Sequence, residues 1–398
     1  MSHAHGPPPE EVTRRRHAEG GGSPAGGRDT TPAVGKRGEP GRYRRAVEGA
    51  TVALARRGWA DSRWSYLYDK DTSYATPAGD ANGRVAEAAR AMRAGEEVLV
   101  PVQGPVLHPA VWTWEVPLYF WFGGIATGSS FVALGCDAAG DHASAAVARK
   151  VVLAAVGPCA PLLVMDLGRP MRFLNMLRIF KPRSPMSMGA WCLSAFSATA
   201  AAGVGADLIG RPREARALGA ATALLGTYLG SYSGVLLAST AVPVWNRSRL
   251  FLAPIFIATA TATGAATNRL VLAATGLPVG HPTQSALGTI ETAAMASELV
   301  MSSVNEKRLG SLADVLAEGT PGKLFQGAKW AVRAGLALRF ARGRAGPWTH
   351  HVASGLYVAA GLAFRFAWVG AGRTSARDDE AVARAARNPA RDAGRERA

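Results

Sequence analysis

The chain has 398 residues, enough for two or three soluble domains, yet 48% are apolar and only 19% charged, below the ~25% charged of an ordinary soluble protein. The formal net charge of +16 comes without the interleaved aromatic residues of a nucleic-acid binder, so membrane topology and anionic lipid account for it better than nucleic acid does. Two materials are averaged in these figures, because residues 1–107 and 371–398 are polar and arginine-rich while the stretch between them is mostly apolar.

In chain order, the first 45 residues hold Pro7, Pro8, Pro9 and the run Arg14, Arg15, Arg16, a composition that cannot build a core. No apolar h-region follows, so the expectation is that this stretch is not a signal peptide. Residues 84–93 have helical composition and 97–102 are strand-like. The first candidate span covers 116–135, and charge-free runs follow at 186–206, 217–246 and 250–268. Each is long enough for the ~20 apolar residues that cross ~30 Å of hydrocarbon. The span at 151–165 is short, with Arg149 and Lys150 placed to snorkel to the interface. Residues 283–304 contain Glu291 and Glu298. Residues 324–340 carry Lys329, Arg333 and Arg339, and read either as a span or as an amphipathic helix in the interface. The last span, 352–370, holds one arginine, Arg365. The expectation is an all-α polytopic membrane protein of about eight transmembrane helices, seven without the weakest. Residues 108–370 form its membrane domain, 1–107 a polar, largely disordered N-terminal extension, and 371–398 a polar tail.

What the spans lack narrows the chemistry. The three cysteines, Cys136, Cys159 and Cys192, are far apart and match neither a cluster spacing nor a haem attachment. The eight histidines fall in tails, loops or span ends, so no pair is set to ligate a haem within the bundle. The expectation is a chain with no haem and no iron–sulfur cluster of its own. For orientation, Arg169, Arg172, Arg178, Lys181 and Arg183 sit in one loop, which the positive-inside rule places in the cytoplasm together with the N-terminus. Arg211, Arg213 and Arg216 in the next loop pull the other way.

Charge at membrane depth is costly and points to function or to a partner. Glu291 and Glu298 are seven residues apart and so share one helix face, and Asn268 and Arg269 near the end of the preceding span are placed to face them. A structural ion pair and a proton or substrate path both fit. Glu115 stands at the mouth of the first span among Trp112, Trp114 and Tyr119, where an interfacial aromatic belt is the competing account.

Several segments in order carry a resemblance: WTWEVPLY at 112–119 followed by FWFGGIATG, MDLGRPMRFLNMLR at 165–178, FKPRSPMSMGAW at 180–191, YSGVLL at 232–237 and AVPVWN at 241–246. This set resembles the NrfD/PsrC family of polysulfide-reductase-like membrane subunits, well over residues 110–305 and loosely beyond. The resemblance implies an eight-helix anchor, two four-helix bundles, in the inner membrane. It would exchange electrons between menaquinone or ubiquinone as substrate and a ferredoxin-like iron–sulfur subunit, which connects to a molybdopterin-type catalytic chain.

Within that frame a quinone head needs hydrogen-bond partners for two carbonyls, an apolar slot and proton acceptors. Tyr232, beside Ser231, Ser233 and Gly234, is placed to donate to one carbonyl. In the polysulfide-reductase pattern an amide and a histidine near the first helix start accompany such a tyrosine, and here Glu115 and Tyr119 occupy that region, one turn apart. Asp166 and Arg169 flank a tight turn, either pairing with each other or holding the basic loop. That loop, with Arg172 and Arg178, suits an acidic patch on the partner subunit. Tyr232 lies fourteen residues before Asn246, so an unbroken helix would put it ~20 Å from that end. The competing reading is a membrane transporter or proton channel working through Glu291, Glu298, Asn268 and Arg269.

Overall fold

The computed structural model describes residues 107, 110–167, 173–340, 348–379 and 381–382. The expectations for residues 1–106, for Arg169 and Arg172, and for the tail from 383 onward lie outside the described residues.

The described residues form helices and no strand. In chain order they are α1 (Glu115–Ala138), α2 (His142–Val156), α3 (Cys159–Asp166), α4 (Phe173–Arg178), α5 (Pro185–Leu208), α6 (Pro212–Ala238), α7 (Pro243–Arg247), α8 (Arg249–Ala274), α9 (Pro282–Leu309), a 3-10 turn (Gly310–Leu316), α10 (Gly319–Phe340) and α11 (Trp348–Ser375). Six of the spans, counting His142–Asp166 as one, are long and apolar enough to cross a membrane. Helix α9 matches them in length and α10 is slightly shorter, and both carry more charge.

Helix ends follow local chemistry. Proline opens α5, α6 and α9, where its missing N–H costs nothing. Ser184 and Asp141 cap α5 and α2 by accepting from backbone N–H groups. The turn after α1 places Gly140 at φ +81° and returns Asp141 N–H to the Cys136 carbonyl, and Gly210 at φ +70° does the same after α5. Only glycine takes that conformation without strain, and it closes both helices in a Schellman turn. The span expected at 151–165 is instead α2 and α3 together, interrupted at Gly157 and Pro158.

The long helices alternate in direction, so α1 begins at one end of the bundle, here called proximal, and ends at the distal end. The central contact is between α1 and α8. A Cβ on Gly128 would strike the Ala260 carbonyl, and one on Gly264 would strike the Gly128 backbone, so these two glycines let the helices touch main chain to main chain. Helix α10 runs antiparallel along α11: Phe325 stacks on Phe364, Gly335 meets Tyr357, and Arg339 meets His350. Its buried face contains Phe325, Ala328, Lys329, Val332 and Gly335. Of its charged residues, Lys329 and Arg339 turn inward onto partners, while Arg333 is exposed beside the Trp330 ring.

Arg149 departs from the expected snorkelling. It is 5% exposed and reaches across the distal end, where Nη1 donates to Asp137 at 2.5 Å and Nε and Nη2 donate to Asp207 at 2.6 and 2.9 Å. Gly203 on α5 and Gly219 on α6 leave room for its stem. Two carboxylates at helix ends draw the arginine inward, and the salt-bridged group ties α1, α2 and α5 together.

Candidate functional site

At the proximal end α1 opens with Glu115, buried and accepting a hydrogen bond from Thr113 Oγ1. One turn further in stands Tyr119, also buried, with Cys159 of α3 on the same side. Tyr232 of α6 is 4% exposed, and its ring lies against Gly189 at the start of α5. Any side chain at position 189 would occupy the space of that phenol, so the glycine in the PMSMG segment creates the slot. Tyr228 stacks on Tyr232 with ring centroids 5.9 Å apart. The Tyr119 phenol lies near Tyr232 and Cys192, and Glu115 lies near Asp166 at the end of α3. Glu115, Tyr119, Tyr232 and Asp166 therefore gather at one end of α1, α3, α5 and α6.

The depth of Tyr232 differs from the sequence expectation. The helix does not run on to Asn246. It ends at Ala238, turns, and resumes as the short α7, whose Trp245 is wholly buried against Trp112 and donates to the Trp368 carbonyl. Tyr232 is six residues from the helix end, ~9 Å rather than ~20 Å. The AVP segment breaks the span because Pro243 cannot continue a hydrogen-bonded helix. Arg178 is exposed at the end of α4, followed by exposed Ile179 and Phe180, and Phe180 packs edge-on against Trp191. A basic and apolar surface thus adjoins the cluster.

A second polar cluster lies toward the distal end among α8, α9, α10 and α11. Glu291 Oε1 takes Arg269 Nη1 at 3.1 Å and Ser354 Oγ at 2.9 Å, and it pairs with Arg339 as well. Arg269 Nε donates to Gln284 at 3.2 Å, and Gln284 Nε2 returns a bond to the Arg269 carbonyl. Arg339 Nη1 meets His350 Nδ1 at 2.7 Å. Of the four residues expected together, Arg269 and Glu291 meet directly. Asn268 turns to α1, donating to Ser129 Oγ at 2.7 Å and the Gly264 carbonyl at 2.8 Å. Glu298 faces Ser302, Lys329 and Arg365 instead. Gln284, Arg339 and His350 join this cluster without being expected in it, although the spacing of Gln284, Glu291, Glu298 and Asn305 at every seventh residue marks the polar face of α9 in the sequence.

Among the described residues no three His, Cys, Asp or Glu side chains gather as a metal site would require. A small cleft lined by Ser130, Arg149, Thr199 and Thr222 opens between α1, α2, α5 and α6, in the distal half and away from the tyrosines.

The sequence matches the polysulphide reductase NrfD family over residues 106–304, half of the chain. The chain belongs to the NrfD family. Members of the NrfD family are membrane subunits of quinone-linked oxidoreductases that partner with other redox subunits, and this chain is a multi-pass membrane protein. No curated protein sequence matches it. The NrfD match contains every residue of the proximal cluster and ends within α9, so α10 and α11, which supply Arg339, His350 and Ser354 to the distal cluster, fall outside it.

Proposed function

We propose that this chain is the quinone-reactive membrane subunit of a multi-chain oxidoreductase, carrying electrons between menaquinone or ubiquinone and a ferredoxin-like iron–sulfur subunit. The observation that carries the reading is the gathering of two buried phenols, Tyr119 and Tyr232, with two carboxyl groups, Glu115 and Asp166, at one end of the bundle. The phenolic O–H groups are donors for quinone carbonyls, and the carboxylates are acceptors for the protons that a quinol releases as its electrons leave. Tyr228, Phe180 and Trp191 supply apolar surface for the ring and tail. Arg178 is exposed at this end, and the basic segment that also holds Arg169 and Arg172 in sequence suits an acidic patch on the iron–sulfur partner, itself joined to a molybdopterin-type catalytic subunit. In this reading the eight long segments form two four-helix bundles in the inner membrane, with the N-terminus cytoplasmic, and the buried carboxylates of α9 add proton movement.

The test is purification of the tagged full-length chain in mild detergent from its native host. An iron–sulfur protein should accompany it, and the complex should exchange electrons with quinol. Tyr232→Phe should slow that exchange while leaving activity with a soluble dye intact. A chain that emerges alone and has no quinol-linked electron transfer would refute the reading.

A further inference from the structure

Helix α9 carries buried polar side chains at every seventh position: Gln284, Glu291, Glu298 and Asn305. Seven residues make nearly two turns, so the four stand on one face as rungs ~10 Å apart, crossing most of the helix. Gln284 and Glu291 belong to the distal cluster. Asn305 Nδ2 donates to Ser248 Oγ at 2.9 Å near the proximal end, where Glu306 pairs with Lys329 at 2.6 Å. Glu298, between them, accepts from Ser302 Oγ at 2.6 Å.

Opposite Glu298 is Arg365 of α11, 2% exposed. Its Nη2 donates to the Phe256 carbonyl at 3.0 Å, and the guanidinium carbon sits 3.8 Å above the Phe256 ring. Its Nη1 is buried and has no hydrogen-bond partner among the described residues, and neither has Glu291 Oε2 or Asn305 Oδ1. Buried polar atoms left open in this way are where internal water binds. Water at these three positions would join the rungs into one polar route from the distal cluster to Glu306. A fixed cation beside such a route opposes passage of a proton, as a pore arginine does.

We propose that Arg365 is an electrostatic gate at the midpoint of a buried proton route along α9, with Glu298 as the carboxylate that carries the proton past it. A proton from water on one side bonds to a Glu298 oxygen, and the carboxyl group then loses a proton to water on the other side, returning to its starting state. Arg365 acts through Glu298 and the water and is a positioning residue. The inference rests on reading α9 as a proton path and stands apart from the quinone chemistry at the other cluster.

The experiment uses the full-length chain in phosphatidylcholine–phosphatidylglycerol vesicles containing a pH-sensitive dye, with a potassium gradient and valinomycin driving protons. Arg365→Gln should raise proton flux roughly tenfold, since one unit charge has left the path. Arg365→Lys, which keeps the charge, should stay near wild type, and adding Glu298→Gln to Arg365→Gln should bring the flux back down. An Arg365→Gln flux equal to wild type overturns the gate. In that case Glu298→Gln alone separates the two ideas: a lower residual flux retains the route, and no change removes it too. A raised flux that persists in the double variant marks a leak through a disturbed bundle and overturns the proposal. Should Arg365→Gln not reconstitute, Glu298→Gln must lower the wild-type flux, and failure to do so is equally fatal.

Discussion

Arg149 and Tyr232 illustrate what single residues do in this bundle. Arg149 satisfies Asp137 and Asp207 at once, and its side chain and the Asp137 side chain are both below 10% exposed. Removing one partner of a buried ion pair strands the other, at about 3–5 kcal/mol. Arg149→Met should therefore lower the thermal unfolding midpoint of the purified chain sharply, with Arg149→Lys intermediate because one ammonium cannot serve two carboxylates as a planar fork does. Equal midpoints for wild type and Arg149→Met would mean that water already compensates the aspartates. Tyr232→Phe removes one donor and little volume, so stability should hold. Loss of one hydrogen bond worth ~1 kcal/mol predicts a fall of roughly fivefold in quinol-linked electron transfer, read against unchanged dye-linked activity in the complex. The Tyr232 slot was half legible. The aromatic residue beside small ones is plain in sequence, but its depth depended on where the helix stops, and the break at Ala238 became visible only with Pro243 folded back into α7.

At the scale of the element, α9 shows why two carboxylates on one face are not equivalent. Glu291 faces the two arginines Arg269 and Arg339, so Glu291→Gln leaves positive charge without its anion and should cost assembly as well as any coupling. Glu298 takes a hydroxyl and has no close salt bridge among the described residues, so Glu298→Gln should assemble normally. Yields of monodisperse chain by size-exclusion would separate them, and equal loss for both variants would contradict this division. The sequence placed both glutamates on one face correctly because heptad spacing is a property of the helix itself. It did not assign partners, since these come from α10 and α11, far along the chain. A cap links elements too. Asp141 accepts from Ser144 N–H at the start of α2 and from Thr283 Oγ1 at the start of α9. Partial burial would raise its carboxyl, but those bonds and nearby His281 more than offset this and hold it below its ordinary value. The stabilisation is therefore complete above the usual carboxylate range near pH 4 and disappears as pH falls through the lowered value. Asp141→Ala should cost ~1 kcal/mol at neutral pH. Unfolding midpoints measured across pH should show the gap from wild type closing in acid, and a gap unchanged at the acid end would exclude the charged cap.

Across the whole molecule, apolar run length located the helices well, because the cost of unsatisfied backbone in lipid leaves little choice but a helix. It left α10 open between a span and an interfacial helix, since Lys329 and Arg339 find their partners only in α9 and α11 and the helix looks amphipathic when read alone. The NrfD match stops at residue 304, inside α9, yet the packing does not stop there. Helix α11 contacts α1 and α8 through Arg365, which fits beside Gly124 and Phe256, and Trp368 closes over Phe325 while accepting from Trp245. Helix α10 reaches the rest of the bundle largely through α11, and through Arg339 and Lys329 onto α9. The pair therefore completes the buried face of α8 and α9 and neutralises α9 at Glu306. A chain ended after residue 318 would leave that face, with Glu298 and Glu306, without its partners; a chain ended after residue 379 would lose none of these contacts. The expected outcome in membranes is that the longer truncate accumulates and elutes as a single species in detergent, while the shorter one is degraded or aggregates. If the shorter truncate accumulates equally and keeps quinol-linked activity with its partner, then α10 and α11 are an appendage, and the functional unit ends with the family match.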